Sequence, residues 1–339
     1  MTISRRRLVV AAALAAAAGF TACAAPAAQG GKAARPGKSW PGAGPITLIV
    51  PFAAGGEVDA MARLIGRKLS ERLRQCVVVD NVPGAGGVLG VSKAVKSPAD
   101  GYTLLMGSDG PVGIAQLLSS SVRYDTQRDL VPVGLVAVAP VVAVARPGLP
   151  AHHLQELIAL ARSRPGALSY ATVGAGSLPH LAMEMLQERA RVRMIHVPYR
   201  GSAQILSEVM GGQVDVGMLA AASATPLVRQ KKLVGLGVTS AQRIEALPGV
   251  MGFGEVPELK GFELNAWSGL FAPAGTPEAV VARLSSELVQ VLQMPEVRKA
   301  LEEGGVTPGD GSAAEFAGFL SREKASYAQI VKSANMLGE

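Results

Sequence analysis

Cysteine is scarce in this 339-residue sequence, which has only Cys23 and Cys76. Cys23 falls in an N-terminal leader, so we expect no disulfide within the mature body and a buried, apolar thiol at Cys76. About 300 residues beyond the leader are enough for two domains of ordinary size, whose cores need no covalent cross-links.

Long hydrophobic runs are also missing. Residues 8–20 form an uncharged apolar run of thirteen residues, whereas a membrane-spanning helix needs roughly 20, and no later stretch qualifies. Arg5, Arg6 and Arg7 precede this run and small residues follow it, which is the pattern of a secretory signal. We therefore expect residues 1–23 to be an export signal and residues 24–39, rich in Gly, Pro and Ala, to be a flexible tether.

The route and the processing of this leader are left open by its sequence. Residues 4–8 (Ser-Arg-Arg-Arg-Leu) resemble a twin-arginine signal, although paired arginines also occur in ordinary leaders. Residues 20–23 (Phe-Thr-Ala-Cys) resemble a bacterial lipobox, after which Cys23 would carry a lipid anchor. Ordinary cleavage after Ala24 or Ala27 is the alternative. Each of these routes predicts a periplasmic protein.

A basic surface is absent from the body of the chain. The net charge is +7, but the leader and tether hold six basic residues and no acids: Arg5, Arg6, Arg7, Lys32, Arg35 and Lys38. These residues leave a charge of only +1 for everything that follows. Because a nucleic-acid binder keeps a clustered basic face, we expect no nucleic-acid partner.

Signatures of enzymes and metal sites are missing as well. The sequence has no Gly-x-Ser-x-Gly, no His-Glu-x-x-His and no Walker lysine after a glycine loop. Its four histidines, His152, His153, His180 and His196, are not at zinc-ligand spacing with cysteines. We therefore expect a protein that is not an enzyme and has no metal or cofactor. Residues 84–90 approximate a dinucleotide fingerprint with Leu89 at its third glycine position, which leaves a nucleotide-using α/β enzyme as the alternative.

Strand-like and helix-like segments alternate along the rest of the chain, with short Gly/Pro turns between them, as in α/β folds. The pattern strand, proline, helix occurs in residues 133–163 and again in residues 267–292. We interpret this as a chain that leaves one domain and later returns to it. The first lobe is predicted to comprise residues 40–142 and 238–339, and the second lobe residues 143–237. Neither a tandem repeat nor a coiled-coil heptad is present.

One glycine turn is especially informative. Residues 46–50 (Ile-Thr-Leu-Ile-Val) read as a central strand of a parallel sheet, and residues 58–73 as an amphipathic helix. The turn between them directs backbone N–H groups and the positive end of the helix dipole at whatever lies above it, which suits an anion. Residues 81–87 and 107–111 form similar turns after other strands, and such turns share one edge of a parallel sheet.

The second lobe provides a matching turn at residues 174–180 (Gly-Ala-Gly-Ser-Leu-Pro-His). Ser177 is a natural N-cap, and the spare N–H groups behind it form a second anion site. His180 lies in the first helical turn, where the helix dipole disfavours a cation, so we expect a neutral imidazole that makes hydrogen bonds. A purely structural cap is the alternative for this turn.

Seven motifs in fixed order resemble the tripartite tricarboxylate transporter substrate-binding family, also called Bug-type receptors. They run from about residue 45 to the C-terminus, and each is weak alone but specific as part of the set. The motifs are Val-Pro-Phe-Ala-Ala-Gly-Gly with Asp59 (50–59), Asn-Val-Pro-Gly-Ala-Gly-Gly (81–87), Ala-Asp-Gly-Tyr-Thr-Leu-Leu (99–105), Val-Pro-Tyr-Arg-Gly (197–201), Gly-Gly-Gln-Val-Asp (211–215), Val-Thr-Ser (238–240) and Trp-Ser-Gly-Leu-Phe-Ala-Pro-Ala-Gly-Thr-Pro (267–277).

The resemblance implies an α/β fold of the type II-like Venus flytrap kind, a two-lobed periplasmic binding protein in which each lobe is a central sheet flanked by helices. It implies a monomer that captures a small organic carboxylate and delivers it to the membrane permease subunits of a tripartite transporter. A ligand-sensing subunit for a membrane kinase is an alternative that the sequence does not separate. The site residues carried over from the family are Phe52, Ala53, Gly55, Gly56, Asp59, Ser108, Gly176, Ser177 and His180.

Departures from the family pattern concern the ligand. Where relatives usually have Asp or Asn, residues 220–223 read Ala-Ala-Ala-Ser, so Ala221 would face the ligand without offering a polar partner. This favours an apolar or aromatic acid over an amino acid. Glu57 replaces a usually small residue, and Asp109 lies where Ser or Thr is common. If the side chains of Glu57 and Asp109 point outward, they do not affect binding. If they point inward, they would repel an anion.

Overall fold

The computed structural model describes residues 40–199 and 201–333; the expected signal and tether, residues 1–39, lie outside this part of the chain. Eleven strands are seen within it. They are β1 (Ile46–Val50), β2 (Val77–Asn81), β3 (Thr103–Ser108), β4 (Leu130–Ala139), β5 (Val141–Ala145), β6 (Ser169–Thr172), β7 (Ile195–Pro198), β8 (Val216–Ala220), β9 (Val234–Val238), β10 (Ala266–Pro273) and β11 (Thr307–Pro308).

Eleven α-helices accompany these strands in the same described ranges, together with a π-helical turn at Asp109–Ile114 and short 3₁₀ turns at Ala85–Gly87, Phe253–Glu255 and Pro257–Leu259. The helices are α1 (Glu57–Leu73), α2 (Val88–Val95), α3 (Ala115–Leu118), α4 (Thr126–Asp129), α5 (Leu154–Ser163), α6 (Leu178–Ala190), α7 (Ser202–Met210), α8 (Ala221–Arg229), α9 (Glu278–Leu292), α10 (Pro295–Glu303) and α11 (Ala313–Ser333).

The first lobe is built on a six-stranded sheet in the order β11-β4-β10-β3-β1-β2. Strand β1 pairs in parallel with both β2 and β3, as expected for a central strand whose side chains are buried on both faces. Strand β10 runs antiparallel between β3 and β4, so the sheet is mixed. The turns that follow β1 and β3 therefore lie at the same edge.

The second lobe is built on a five-stranded sheet in the order β7-β6-β8-β5-β9. The long apolar run at residues 133–146 is divided between the two sheets, because β4 ends at Ala139 and β5 begins at Val141. The chain thus passes from one sheet to the other at Pro140 and returns after β9. The lobe boundaries at residues 142/143 and 237/238 remain a prediction.

Helix α1 shows how the sequence pattern produces the packing. Met61, Ile65 and Leu69 recur at helical spacing and are buried against the first-lobe core, while Arg63 and Arg67 between them face solvent. The helix ends at Arg74, which adopts a left-handed conformation and donates its N–H to the carbonyl oxygen of Ser70. This packing holds the N-terminus of α1 at the edge of the sheet.

Helix α11 contacts the cores of both lobes. Near its start, Phe316 packs with Trp267 and Phe271 of the first lobe. Near its end, Tyr327 and Ile330 belong to the same buried cluster as the second-lobe helices α5 and α6. One rigid helix therefore crosses from one core to the other.

The structure corrects the expectation for Cys76. This residue is half-buried and disulfide-bonded, so the interpretation as a buried free thiol is wrong. Cys23 lies outside the described residues. Within residues 40–199 and 201–333, no helix combines the length and the apolar character that crossing a bilayer requires.

Candidate ligand-binding cleft

A cleft of about 520 Å³ is lined by both lobes. The first lobe contributes Phe52 and Glu57, which follow β1, and Ser108 and Asp109 at the end of β3. The second lobe contributes residues 175–179, the turn before α6. The remaining lining is mainly apolar and includes Met61, Ile114, Leu118, Ala137, Ala139, Val173, Ala266, Trp267 and Val306.

Asp59 holds the first-lobe turn in shape. Its carboxylate accepts hydrogen bonds from the N–H of Gly55 (2.8 Å), from Arg63 Nε (2.9 Å) and from Asn81 Nδ2 (2.9 Å). The same Asn81 amide donates to the carbonyl oxygen of Phe52. The Arg63 hydrogen bond, with those from Gly55 and Asn81, lowers the pKa of Asp59 to about 2. Asp59 is buried behind the turn and does not line the cleft.

His180 plays the same part in the second lobe. Its Nδ1 accepts the N–H of Gly176 at 3.0 Å, and Gly176 has a positive φ of 73°. The Ser177 hydroxyl donates to the carbonyl oxygen of Gly174 at 2.7 Å, so it does not cap α6. The N–H groups in the first turn of α6 are thus left without a side-chain acceptor, at a point where Leu178 and Pro179 line the cleft.

The imidazole of His180 lies in a stack of rings. His196 is parallel to it with ring centroids 4.0 Å apart, and Tyr170 lies beyond His196. Burial lowers the pKa of His180, and burial together with His180 lowers the pKa of His196 to about 4. Both rings are therefore neutral at pH 7, which agrees with the hydrogen bond that Nδ1 accepts.

Two carboxylates line the cleft on the first-lobe side, where the sequence left their direction open. Glu57 is the first residue of α1 and Asp109 the first residue of the π-helical turn. Burial raises the pKa of Asp109 to about 7, and the nearby carboxylates Glu323 and Glu57 act in the same direction. Burial also raises the pKa of Glu57. No local pattern in the sequence signals the inward direction of either residue, because Glu57 lies beyond the turn after β1 and the placement of Asp109 depends on the pairing of β3 with β10.

Nine of the ten residues named from the sequence fall into three groups. Phe52, Ser108, Gly176 and Ser177 line the cleft. Ala53, Gly55 and Gly56 are exposed in the turn between Phe52 and Glu57, while Asp59 and His180 fix the two turns from behind.

Ala221, the tenth residue, lies outside the cleft lining. It is buried in the second-lobe core, and its N–H donates to the carbonyl oxygen of Pro140 at 3.0 Å. The argument from Ala221 against an amino-acid ligand therefore loses its structural basis.

No group of His, Cys, Asp and Glu in residues 40–199 and 201–333 has the arrangement of a metal site. The glycine turn that resembled a nucleotide fingerprint contributes only Ala85 and Gly86 to the cleft. The nearby acids Glu57 and Asp109 would repel a phosphate at this position.

Two lobes with a cleft between them define a solute-binding protein of the periplasmic type. Residues 61–336 match the model of the tripartite tricarboxylate transporter family receptor, and the chain belongs to this family. The chain is 35% identical to the protein BugT of Bordetella pertussis over 291 residues, with 85% of this chain and 88% of BugT covered. It is 40% identical over 287 residues, with 85% of both chains covered, to a UPF0065 protein from the tcbD-tcbE intergenic region of Pseudomonas sp. (strain P51).

Solved structures show the same fold. The R. palustris protein Rpa4515, solved with adipate, has a TM-score of 0.76 and 32% identity, covering 89% of this chain and 100% of that one. MatC (Rpa3494) from Rhodopseudomonas palustris, solved with bound malate, has a TM-score of 0.71 and 31% identity, covering 85% of this chain and 98% of that one.

Proposed function

We propose that this protein captures a small organic carboxylate in the cleft between its lobes, at the site named above without Ala221, and performs no chemistry on it. One observation carries this proposal. The N-terminus of α6 has no capping side chain, and the turn before it lines the same cleft as the turn after β1. Helix N-terminal N–H groups that await an acceptor bind anions through directed hydrogen bonds and the helix dipole.

The two turns are rigid before a ligand arrives, which reduces the entropy cost of binding. Asp59 holds Gly55, and His180 holds Gly176, each through one backbone N–H. Met61, Leu118 and Val173 add apolar surface that excludes water and strengthens each polar contact. A ligand that touches both lobes favours the closed form over the open one in proportion to its differential affinity.

Membership of the family supports a proposal for the partners and the location of this protein. Solved relatives hold adipate and malate, so dicarboxylates of this size are the first candidates to test. We propose that the protein is exported to the periplasm, acts as a monomer and hands its ligand to the membrane permease subunits of a tripartite transporter. Mass spectrometry of the mature N-terminus distinguishes lipid on Cys23 from cleavage after Ala24 or Ala27.

The test of capture is ligand-dependent stability. Folded protein, freed of bound small molecules by denaturation and refolding, is heated with a panel of mono-, di- and tricarboxylates, benzoates and amino acids. A true ligand at 100 times its Kd adds about 2.7 kcal/mol to the free energy of unfolding, and calorimetry then gives the affinity. If no organic acid stabilises the folded protein, the proposal is wrong.

A further inference from the structure

A second cavity, of about 240 Å³, lies between α11 and residues 112–132 of the first lobe. Of the described residues that line it, only Trp267 also lines the cleft, so the two spaces share one side chain and are otherwise built from different ones. A cavity of about 150 Å³ is already large enough to hold benzene. The second cavity can therefore accept a small organic molecule.

The π-helical turn at Asp109–Ile114 contributes to both spaces. Asp109 lines the cleft, whereas Val112 and Gly113 line the second cavity. Gly113 lets the ring of Tyr327 pack against the turn, because a Cβ at this position would lie 2.7 Å from Tyr327 Cε2. Turns of this kind are rare and occur frequently at functional sites. The second cavity is thus built on the same irregular element as the cleft.

One wall of the second cavity is apolar and aromatic. Trp267, Phe271 and Leu130 lie there, and all three are buried. An apolar body that packs against these side chains is removed from water, which favours binding. The face of an aromatic ring also attracts a cation. This wall therefore suits a ligand with an apolar body and is compatible with a positive charge beside it.

Glu323 provides the acid of the second cavity. Its Oε2 accepts the Tyr327 hydroxyl at 2.5 Å, and the oxygen of that hydroxyl accepts the N–H of Trp267 Nε1 at 3.0 Å. The carboxyl group is therefore held in place by two residues of the lining. Lys324, the base of the lining, donates to Gln127 Oε1 at 2.7 Å. The ammonium of Lys324 is thus directed to an amide oxygen, and the charge of Glu323 is available to a ligand.

The protonation of Glu323 agrees with this geometry. Burial raises the pKa of Glu323 to about 7, and Glu263 acts in the same direction, whereas the Tyr327 hydroxyl and Arg322 lower it. The charged form of this carboxyl group is therefore poorly compensated near neutral pH. A cation in the second cavity would take the place of the proton and stabilise the carboxylate.

We infer that the second cavity is a binding site for a small apolar amine in its ammonium form. The body of the amine packs against Trp267, Phe271 and Leu130, and its ammonium donates to the carboxylate of Glu323. An organic acid is disfavoured here, because Glu323 would repel it. The second cavity and the cleft therefore take ligands of opposite charge, and the inference does not depend on what the cleft captures.

Calorimetry with matched amines and alcohols tests the inference on the intact mature protein. Benzylamine, phenethylamine and hexylamine are each compared with the alcohol of the same skeleton, so that the members of a pair differ in charge and hardly in size. We expect at least one amine to bind tenfold or more tightly than its alcohol. If no amine binds, or if every alcohol binds as tightly as its amine, the inference is overturned. Carboxylate capture in the cleft is unaffected by either result.

Variants of α11 locate the bound amine. Glu323→Gln should weaken the amine at least tenfold and leave the alcohol unchanged, because only the charge is removed. Glu315→Gln, an exposed acid of the same helix outside the lining of the second cavity, is the matched control and should change neither affinity. Equal amine affinities in these two variants would overturn the inference.

A variant that fills the cavity gives a second test, should Glu323→Gln fail to fold. Ala317 is exposed and lines the second cavity, so Ala317→Phe should weaken the amine and its alcohol at least tenfold. Ala325→Phe adds the same ring at an exposed position of α11 outside that lining and should leave both affinities unchanged. Full amine affinity in Ala317→Phe would place the amine elsewhere, for example beside the cleft acids, and would overturn the inference.

Discussion

Asp59 and His180 occupy corresponding places in the two lobes. Each lies four residues after a glycine of a strand-to-helix turn and accepts that glycine's N–H through a side chain. The backbone donors of Gly55 and Gly176 are therefore used internally. In the second lobe the N–H groups that remain for an anion are those of the first turn of α6, beyond Ser177, whose own N–H is donated to the carbonyl oxygen of Gly174.

Asp59→Asn should destabilise the protein by about 2 kcal/mol at pH 7, since it removes the charge from a group that accepts three hydrogen bonds. The pKa of Asp59 falls from 3.8 when unfolded to about 2 when folded, so its contribution is complete above pH 4 and is lost as the pH drops toward 2. Urea unfolding of both proteins at several pH values measures the difference. Asp80→Asn, whose carboxylate pairs with Lys93 at the exposed surface, should change stability little. If the difference in free energy of unfolding between the wild type and Asp59→Asn stayed constant from pH 6 to pH 2.5, the lowered pKa of Asp59 would be contradicted.

Gly176→Ala tests the second-lobe turn. The positive φ of Gly176 costs an alanine about 1–2 kcal/mol, and the added Cβ would lie 2.5 Å from Leu118 Cδ1. We expect a loss of stability of that size and weaker ligand binding, because the turn moves relative to the cleft. Gly249→Ala is the control, since its φ is not positive and a Cβ added there would have no atom within 4 Å. Equal unfolding midpoints for the two variants would show that the turn is not constrained.

At the scale of elements, α6 lacks the stabilising hydrogen bond of an N-cap side chain, and its first N–H groups therefore have no side-chain acceptor. Ser177 occupies the N-cap position, yet its hydroxyl donates to Gly174 and leaves the helix N–H groups free. By contrast, His153 caps α5 by accepting the N–H of Glu156. The difference between these two helices is the cleft, which α6 faces and α5 does not.

Ser177→Asp should therefore raise the stability of the protein and lower its affinity for the ligand. A carboxylate at the N-cap adds about 0.5–1 kcal/mol to helix stability, but it occupies the place of the ligand carboxylate. We expect at least a tenfold weaker Kd by calorimetry alongside an unchanged or higher melting temperature. His153→Asp places the same charge at the N-cap of α5 and should leave the Kd unchanged. Retained affinity in Ser177→Asp would place the ligand carboxylate elsewhere.

The elements themselves were largely readable from the sequence. The apolar run at 46–50 and the periodic pattern at 58–73 predicted β1 and α1 to within one residue, because burial on both faces and burial on one face leave different spacings. The division of residues 133–146 at Pro140 was not readable, since both halves are equally apolar. The inward direction of Asp109 depends on the pairing of β3 with β10, strands more than 150 residues apart, and no local pattern reports that pairing.

At the scale of the whole molecule, α11 is the element that joins the two cores. Phe316 is buried in the first lobe, whereas Tyr327 and Ile330 are buried with the second-lobe helices. The Tyr327 hydroxyl also receives a hydrogen bond from Trp267 Nε1 at 3.0 Å. We therefore expect the loss of contacts at the C-terminal end of α11 to destabilise both lobes.

Ile330→Ala should lower the free energy of unfolding by about 2–4 kcal/mol, the cost of a cavity at a buried aliphatic side chain. Because α11 bridges the lobes, we expect hydrogen exchange to accelerate in α6 of the second lobe and in β4 of the first. Lys332→Ala, at an exposed site on the same helical turn, should stay within about 0.5 kcal/mol of the wild type. Faster exchange confined to α6 would show that the helix does not couple the lobes.

Strand β10 imposes an order of assembly on the chain. It lies in the interior of the first sheet, between β3 and β4, yet it follows all five strands of the second sheet in sequence. A nascent or translocating chain can therefore pair all five strands of its second sheet while β3 and β4 still have open hydrogen-bonding edges. Pulse-labelling during refolding should find β5, β6 and β8 protected before β3 and β4. The interval between the two events is the period in which this chain most needs a chaperone.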